Sequence, residues 1–477
     1  MTSSSQGCPW QASVGLHGEP TRHDTRVVDA AKRRSRGDLA LHDWARAGRA
    51  YDPAASREPV AVGTLAREDA ARLSVADFIA RYEAPNLPVV ITGCADGWAA
   101  SRGAWEPSAL YAAYRHRRFK VGEDDDGYPV KMKLKYFLRY MARQRDDSPL
   151  YVFDSMFESG SRDCGIRRDY EVPPYFREDL LRLVGEHRRP PYRWFLLGPA
   201  RSGTGIHIDP LATSAWNTLI SGAKRWVLFP PGVPREAIRA RALARPGEDD
   251  EPSDYFTLHL PRLRAAAPAV AAQAIEFTQR PGETVFLPGG WWHAVLNLSD
   301  SVAITQNYCS AANFARVWPA VREGRRGMAR KWLRALASAA PELAAAAAEA
   351  NAAVGWCADK EAARHAARAA ARDAAAATRR AKRRAARDAA AGAAGGPASA
   401  SSASSSSDTD SDDSSGSATT SSQSGREAPP AAPAPQRATR SGGGSTTDSD
   451  APKRGARAAA PAAGFASGLP GRKKGGA

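Results

Sequence analysis

The sequence predicts a mainly β protein with flanking helices, its strands closed into a barrel or jelly roll. Three observations carry that expectation. Short apolar runs recur at residues 194–197, 205–209, 215–220, 224–229, 284–287, 292–298 and 302–308, separated by Gly/Pro turns. Ahead of them helical and extended patterns mix, as in an α/β part that supports the core. Behind Ala311 the strand pattern stops and helical spacing takes over.

Taken in order, residues 1–60 read as a flexible basic arm without the apolar stretch of a secretory signal. No run of about 18 apolar residues occurs, so no membrane span is expected. Lys32-Arg33-Arg34-Ser35-Arg36 suits either a nuclear signal or an ordinary solvated patch. Residues 61–170 form the supporting part. Here Leu73, Val75, Phe78, Ile79 and Tyr82 recur at near-helical spacing, residues 88–91 read as a buried strand, 105–114 as a helix and 119–121 as a strand. Residues 135–143 predict a helix with Tyr136, Phe137 and Tyr140 on one face. The acidic loop from Glu123 to Asp126 either draws a basic substrate or is a solvated turn.

Residues 171–315 hold the predicted strand core. The stretch 236–274 looks like an insertion, whose charged, Pro-rich part at 246–252 either covers the open side of a site or is a surface loop. In residues 316–394, Trp318, Val321, Met328, Trp332 and Leu333 predict closing helices, followed by an Ala/Arg-rich helical stretch containing Arg379-Arg380-Ala381-Lys382-Arg383-Arg384, a nuclear signal or nucleic-acid contact. Residues 395–477 are Ser-rich and low in complexity, with Asp408, Asp410, Asp412 and Asp413 among the serines, and are expected to be disordered and open to phosphorylation.

The chain has 477 residues with 67 Lys and Arg against 51 Asp and Glu, a formal net charge of +16. A charge of that size bears on association with acidic partners such as nucleic acid rather than on fold. The five cysteines show no paired metal spacing and read as free thiols in a reducing compartment.

Chemistry concentrates between Gly203 and Phe229, with one distant partner. His207 and Asp209 stand two apart on a predicted strand, so both side chains point the same way. His293 ends a turn-strand-turn run and supplies a second imidazole. Two histidines and one carboxylate form the facial set that leaves three positions open on a non-haem Fe(II). Lys224 adds an anion anchor. A two-residue hairpin at Ser221-Gly222 pairs Leu219 with Lys224 and Asn217 with Trp226, placing a lysine on an apolar face where burial demands a counter-charge. A dicarboxylate co-substrate would supply it.

These motifs, Gly-Thr-Gly-Ile-His-Ile-Asp-Pro at 203–210, Ser-Ala-Trp-Asn at 214–217, Lys-Arg-Trp at 224–226, Pro-Gly-Gly-Trp-Trp-His at 288–293 and Ala-Ile-Thr-Gln-Asn at 303–307, resemble the Jumonji-C (JmjC) oxygenases. So do Gly-Glu-Asp-Asp-Asp-Gly-Tyr at 122–128, Asp-Asp-Ser-Pro-Leu-Tyr at 146–151 and Arg-Arg-Pro-Pro-Tyr-Arg-Trp-Phe at 188–195, and the likeness spans residues 61–336. It implies a cupin-like double-stranded β-helix, with His207, Asp209 and His293 as iron ligands and Lys224 on the C5 carboxylate of 2-oxoglutarate. Tyr151, Thr204, Asn217 and Thr305 match positions at or around the co-substrate. The resemblance further implies lysyl C5-hydroxylation of Arg/Ser-rich, splicing-regulatory nuclear proteins, or alternatively demethylation of N-methyl-arginine on histones or other proteins. It also places dimer-forming helices after the core. A catalytically idle cupin-like scaffold that binds RNA or protein through basic segments is the competing class.

Two geometric expectations accompany the likeness. Thr305 shares the face of His293 only if the turn at 299–301 is an odd hairpin loop with Leu298 paired to Val302. Thr204, three residues before His207, is off parity, so Gly203 and Gly205 must bend the strand there.

Overall fold

The computed structural model describes residues 19–59, 63, 65–157, 165–239 and 243–393. The expected Ser-rich tail at 395–477 lies outside them. Two compact units divide the chain. One runs through Ala366 and carries all the sheets; of the other, residues 367–393 are described and belong to the helix Ala358–Ala393.

Thirteen strands are described, four more positions than the pattern of apolar runs revealed before and within the core. The supporting part contributes β1 (Ala66–Asp69), β2 (Val89–Thr92), β3 (Arg118–Glu123), β4 (Pro129–Lys133) and β5 (Val152–Asp154). The core contributes β6 (Arg193–Gly198), β7 (Gly203–His207), β8 (Ser214–Ser221) and β9 (Lys224–Phe229). After the insertion come β10 (Ile275–Gln279), β11 (Thr284–Leu287), β12 (Trp292–Asn297) and β13 (Ser301–Tyr308). A seven-stranded sheet runs β1-β2-β11-β8-β13-β6-β5, a four-stranded sheet runs β10-β9-β12-β7, and β3 pairs with β4 alone. Trp226 and Leu228 of the smaller sheet pack with Val90, Ala215, Val285 and Leu287 of the larger, so the two sheets face each other as a sandwich. The jelly-roll expectation holds.

One part of the sequence reading fails. β8 and β9 are not a hairpin: β8 pairs with β11 and β13, whereas β9 pairs with β10 and β12. Likewise β12 and β13 lie in different sheets, and Leu298 donates its N–H to Ala223 O at 2.8 Å instead of pairing with Val302. Both turns cross between sheets and touch each other. Gly222 has φ +93, and a Cβ there would lie 2.3 Å from Asp300 O, so the close approach of the second turn requires a glycine. The predicted face-sharing survives for a different reason, because residues pointing inward from two opposed sheets meet in one interior.

The outer face of the large sheet is buried under the supporting part. Phe176 stacks on Trp216 and Phe286, and Phe78, Trp105 and Tyr170 complete the aromatic layer. Each fully buried ring of this kind contributes about 2–3 kcal/mol. In the insertion, Tyr255, Phe256, Leu260 and Leu263 pack on Val227, Phe229, Ala294 and Leu296, the outer face of the small sheet.

The expected flexible arm is instead built into this body from residue 19 onward. A helix, Arg22–Ser35, starts at a capping box in which Thr21 and Asp24 satisfy each other's backbone N–H. Val27, Val28 and Ala31 then join the core of the supporting part. The cluster at 32–36 is largely engaged: Lys32 pairs with Asp146 at 2.7 Å, Arg34 with Asp124 at 3.0 Å, and Arg36 with Asp249 at 2.7 Å and Glu251 at 3.2 Å. The acidic loop and the insertion therefore serve as counter-charges for this helix. After β13, helices Phe314–Gly324, Arg326–Ala339 and Pro341–Ala352 close the domain around Phe314, Trp318 and Trp332.

Candidate metal and dicarboxylate site

β7 and β12 are neighbours in the small sheet, with His207 directly opposite His293. Asp209 follows just past the end of β7. The three residues each offer a ligand atom, all within 4.8 Å of one another. Asp209 Oδ1 lies 3.8 Å from Nε2 of both histidines, whose ring centroids are 4.0 Å apart. Each Nδ1 sits against a backbone carbonyl, Gly205 O at 2.8 Å and Trp291 O at 3.2 Å. With Nδ1–H donating there, the Nε2 lone pairs are left to converge on one point with the carboxylate.

The electrostatics fit a cation at that point. Burial and the neighbouring His207 hold the His293 imidazole well below its ordinary range, which keeps it in the neutral, ligating form. Burial pushes the Asp209 carboxyl up against the pull of His207 and a hydrogen bond with Asn307. A divalent ion in the triangle reverses that tendency by favouring the carboxylate. Two imidazoles and one carboxylate suit a first-row divalent metal with open positions.

The predicted bend is present. His293 pairs with His207 but Val295 pairs with Thr204, so three steps along β7 match two along β12. The bulge returns buried Thr204 to the face of His207. A Cβ at Gly203 would fall 2.0 Å from Val295 O, so this approach of the two strands needs a glycine.

Lys224, on β9, is only 1% exposed. Its Nζ donates to Asn297 Oδ1 at 2.6 Å and to Tyr151 Oη at 3.3 Å. Desolvation pushes its ammonium down to about 7. A buried cation held only by neutral oxygens is incomplete, and a carboxylate is the group that completes it. Asn297 is oriented for this contact: its Nδ2 donates to Ser202 Oγ at 2.9 Å, which in turn donates to Pro199 O at 2.6 Å. Buried Tyr151 packs with Trp194, Leu196, Leu219 and Ala303 as the wall around it.

Asn217 and Thr305 stand opposite each other on β8 and β13. Thr305 donates to Trp216 O at 2.8 Å, while Asn217 Oδ1 is buried without a protein partner, as is Trp194 Nε1. Polar atoms left open in an apolar chamber mark a place for a polar occupant. All eight residues singled out from the sequence thus line or adjoin one interior. Asn297 and Asn307 were missed, although their parity with His293 and Thr305 on the same strands was a readable signal.

Comparison with known proteins agrees with this geometry. Residues 194–308 match the family model described as "JmjC domain, hydroxylase". The chain is 43% identical over 318 residues to the bifunctional arginine demethylase and lysyl-hydroxylase psr-1 of Caenorhabditis briggsae, covering 66% of this chain and 79% of that protein. It is 39% identical to the arginine-specific demethylase JMJ22 of Arabidopsis thaliana, over 51% of this chain and 46% of that one. It is 31% identical to the human 2-oxoglutarate and iron-dependent oxygenase JMJD4, over 51% and 61% respectively.

Proposed function

This chain belongs to the JmjC hydroxylase family, and from that premise we propose that it is an Fe(II)- and 2-oxoglutarate-dependent protein oxygenase that hydroxylates lysine side chains at C5 in Arg/Ser-rich proteins. One observation carries the reading: a His207, Asp209 and His293 triangle shares an apolar interior with a buried lysine that lacks a counter-charge. When bound, iron with 2-oxoglutarate and dioxygen supplies an oxidant that inserts one oxygen atom into a C–H bond, the other oxygen entering succinate as CO₂ leaves.

The protein's residues do the positioning. His207, Asp209 and His293 hold the metal, and their carbonyl partners Gly205 and Trp291 fix the imidazoles. Lys224 takes the far carboxylate of the co-substrate, with Tyr151 and Asn297 beside it. His293 and Asn297 are four residues apart on β12, about 13 Å of strand, the scale of a short dicarboxylate plus a lysine side chain. Thr204, Asn217 and Thr305 offer hydrogen bonds along that span. Trp226, stacked against His293 at 6.2 Å, and Val295 keep water from the path between them.

Oxidation of an N-methyl group on arginine, which releases formaldehyde, is the second reading, and relatives named for both activities favour keeping it. A scaffold role leaves the buried cation without a purpose. Mass spectrometry of a Lys/Arg/Ser-rich peptide, unmodified and arginine-methylated, tests the choice after incubation with Fe(II), 2-oxoglutarate and oxygen. A gain of one oxygen on lysine is expected. Loss of a methylene unit with formaldehyde instead promotes the demethylase, and absence of both changes together with absence of succinate sinks the oxygenase. His207→Ala must abolish succinate formation; retained turnover refutes the triangle.

We further propose that the protein works in the nucleus on splicing regulators, that the Arg379–Arg384 segment serves import or RNA contact, and that copies associate through the helices after Phe314. The exposed arginines of that segment support the second of these. Imaging of a variant with these basic residues neutralised, and sedimentation of the full chain, are the corresponding tests.

A further inference from the structure

No residue of the C-terminal helices belongs to the triangle, yet the first of them grips the turn that carries Asp209. That turn leaves β7 and enters β8 through two consecutive non-glycine residues in the left-handed region, Leu211 at φ 58 and Ala212 at φ 53. Side chains rarely hold this conformation singly, and two in succession persist only where the surroundings enforce them.

The enforcement is visible on three sides. Leu211 packs against the cluster of Phe314, Trp318 and Val321, and its Cδ2 lies 3.6 Å from where a Cβ on Gly324 would be. Asn313, at the start of that helix, donates to Ser214 Oγ at 3.0 Å, fixing the far end of the turn. Inside the turn, Thr213 Oγ1 donates to Pro210 O at 2.8 Å and accepts from Asn307 at 2.9 Å. The turn also supports the other arm of the triangle. A Cβ at Gly289 would lie 2.1 Å from Ala212 O, and Gly289 N–H donates to Ser214 Oγ at 3.3 Å, so the loop leading to His293 rests on the loop leaving His207.

We infer that Leu211 is a positioning residue for the metal triangle: anchored in the C-terminal helices, it holds the strained turn that sets Asp209 against the two histidines. The inference rests on the metal-binding reading of that triangle. It makes the helix Phe314–Gly324 part of the metal-affinity determinant without any of its side chains touching the ion.

The test is Mn(II) binding to the metal-stripped full-length protein, measured by calorimetry and by the loss of the free-ion spin-resonance signal. Leu211→Ala is expected to weaken Mn(II) about tenfold, the low end of what is lost when groups behind metal ligands are removed. Leu211→Met, a near-isosteric change without branching at Cβ that keeps the fold testable if the alanine variant fails, is expected to weaken it by less. Leu336→Ala, in the same apolar cluster but on the next helix, is expected to lower the melting temperature and leave Mn(II) affinity unchanged. Unchanged affinity in both Leu211 variants overturns the inference, and so does an equal loss in Leu336→Ala, which would reduce the effect to general destabilisation. Failure of the unsubstituted protein to bind Mn(II) would remove the metal centre itself, a result distinct from either.

Discussion

Replacing Lys224 with methionine separates stability from co-substrate binding, because burial makes this lysine a liability in the free protein. Its ammonium titrates ordinarily at 10.5 and here at about 7. The gap of 3.5, at about 1.4 kcal/mol per unit, is a cost on the order of 5 kcal/mol when the group is charged in the fold. Methionine removes that cost but strands Asn297 Oδ1, a loss of about 1–3 kcal/mol. The net gain is about 2–4 kcal/mol, or roughly 4–8 °C in melting temperature for a domain of this size. The sign with pH follows from linkage. A folded pKa below the unfolded one gives stability that is present above 10.5 and lost as pH falls through about 7. The advantage of Lys224→Met is therefore largest below about 7 and closes towards 10.5. In the Mn(II)-loaded protein the same variant loses a charge-assisted bond worth about 2–3 kcal/mol, weakening 2-oxoglutarate roughly 30- to 150-fold. Thermal melts across that pH range and calorimetric titration with 2-oxoglutarate measure both. A variant less stable than the parent at low pH, or one that binds 2-oxoglutarate unchanged, refutes the reasoning.

Other outcomes follow from the same contacts. Above pH about 7 the free Lys224 is largely neutral, so a dicarboxylate must bind with uptake of a proton, and the KM for 2-oxoglutarate rises with pH; titrations in buffers of different ionisation enthalpy count that proton. Asn297→Asp places a carboxylate where an oxygen already lies 2.6 Å from Lys224 Nζ, so melting temperature rises while 2-oxoglutarate affinity drops at least about tenfold through competition for the charge. Gly203→Ala drives a methyl into Val295 O, separating β7 from β12 at a cost of about 3 kcal/mol, read by urea denaturation, with loss of Mn(II) binding.

What was legible in the sequence divides by the range of the interaction that decides it. The convergence of His207 and Asp209 is a property of one strand, and the bend at Thr204 is announced by the two glycines around it. The sheet to which each strand belongs is not local information. Ser221-Gly222 has the chemistry of a hairpin turn, yet whether β9 folds back on β8 or crosses to the opposite sheet depends on partners distant in sequence, such as β10 to β13 and the second turn at Asp300, nearly eighty residues on, which lies against Gly222. The inward direction of Lys224 came out right because both topologies turn that face to an interior. The N-terminal helix was missed for a related reason: its cations read as solvated until Asp146, Asp249 and Glu251, all distant in sequence, are seen to pair with them.

Those pairings leave the net charge unchanged, but two stretches of the chain differ in how densely they carry it. Over residues 1–357 the sequence has 48 Lys and Arg against 40 Asp and Glu, a net +8; residues 358–477 have 19 against 11, also +8, in a third of the length. Much of the basic cluster at 32–36 is spent internally, whereas the helix Ala358–Ala393 alone carries ten Lys and Arg against four acidic residues, and those of its side chains that are described lie exposed. The two stretches carry equal net charge, so a Lys/Arg-rich substrate would meet repulsion from both, more concentrated along the C-terminal quarter, which also has the composition to hold an acidic polymer. An RNA bound there would turn that repulsion into attraction, so the salt dependence of substrate capture should steepen when RNA is present and flatten after nuclease treatment.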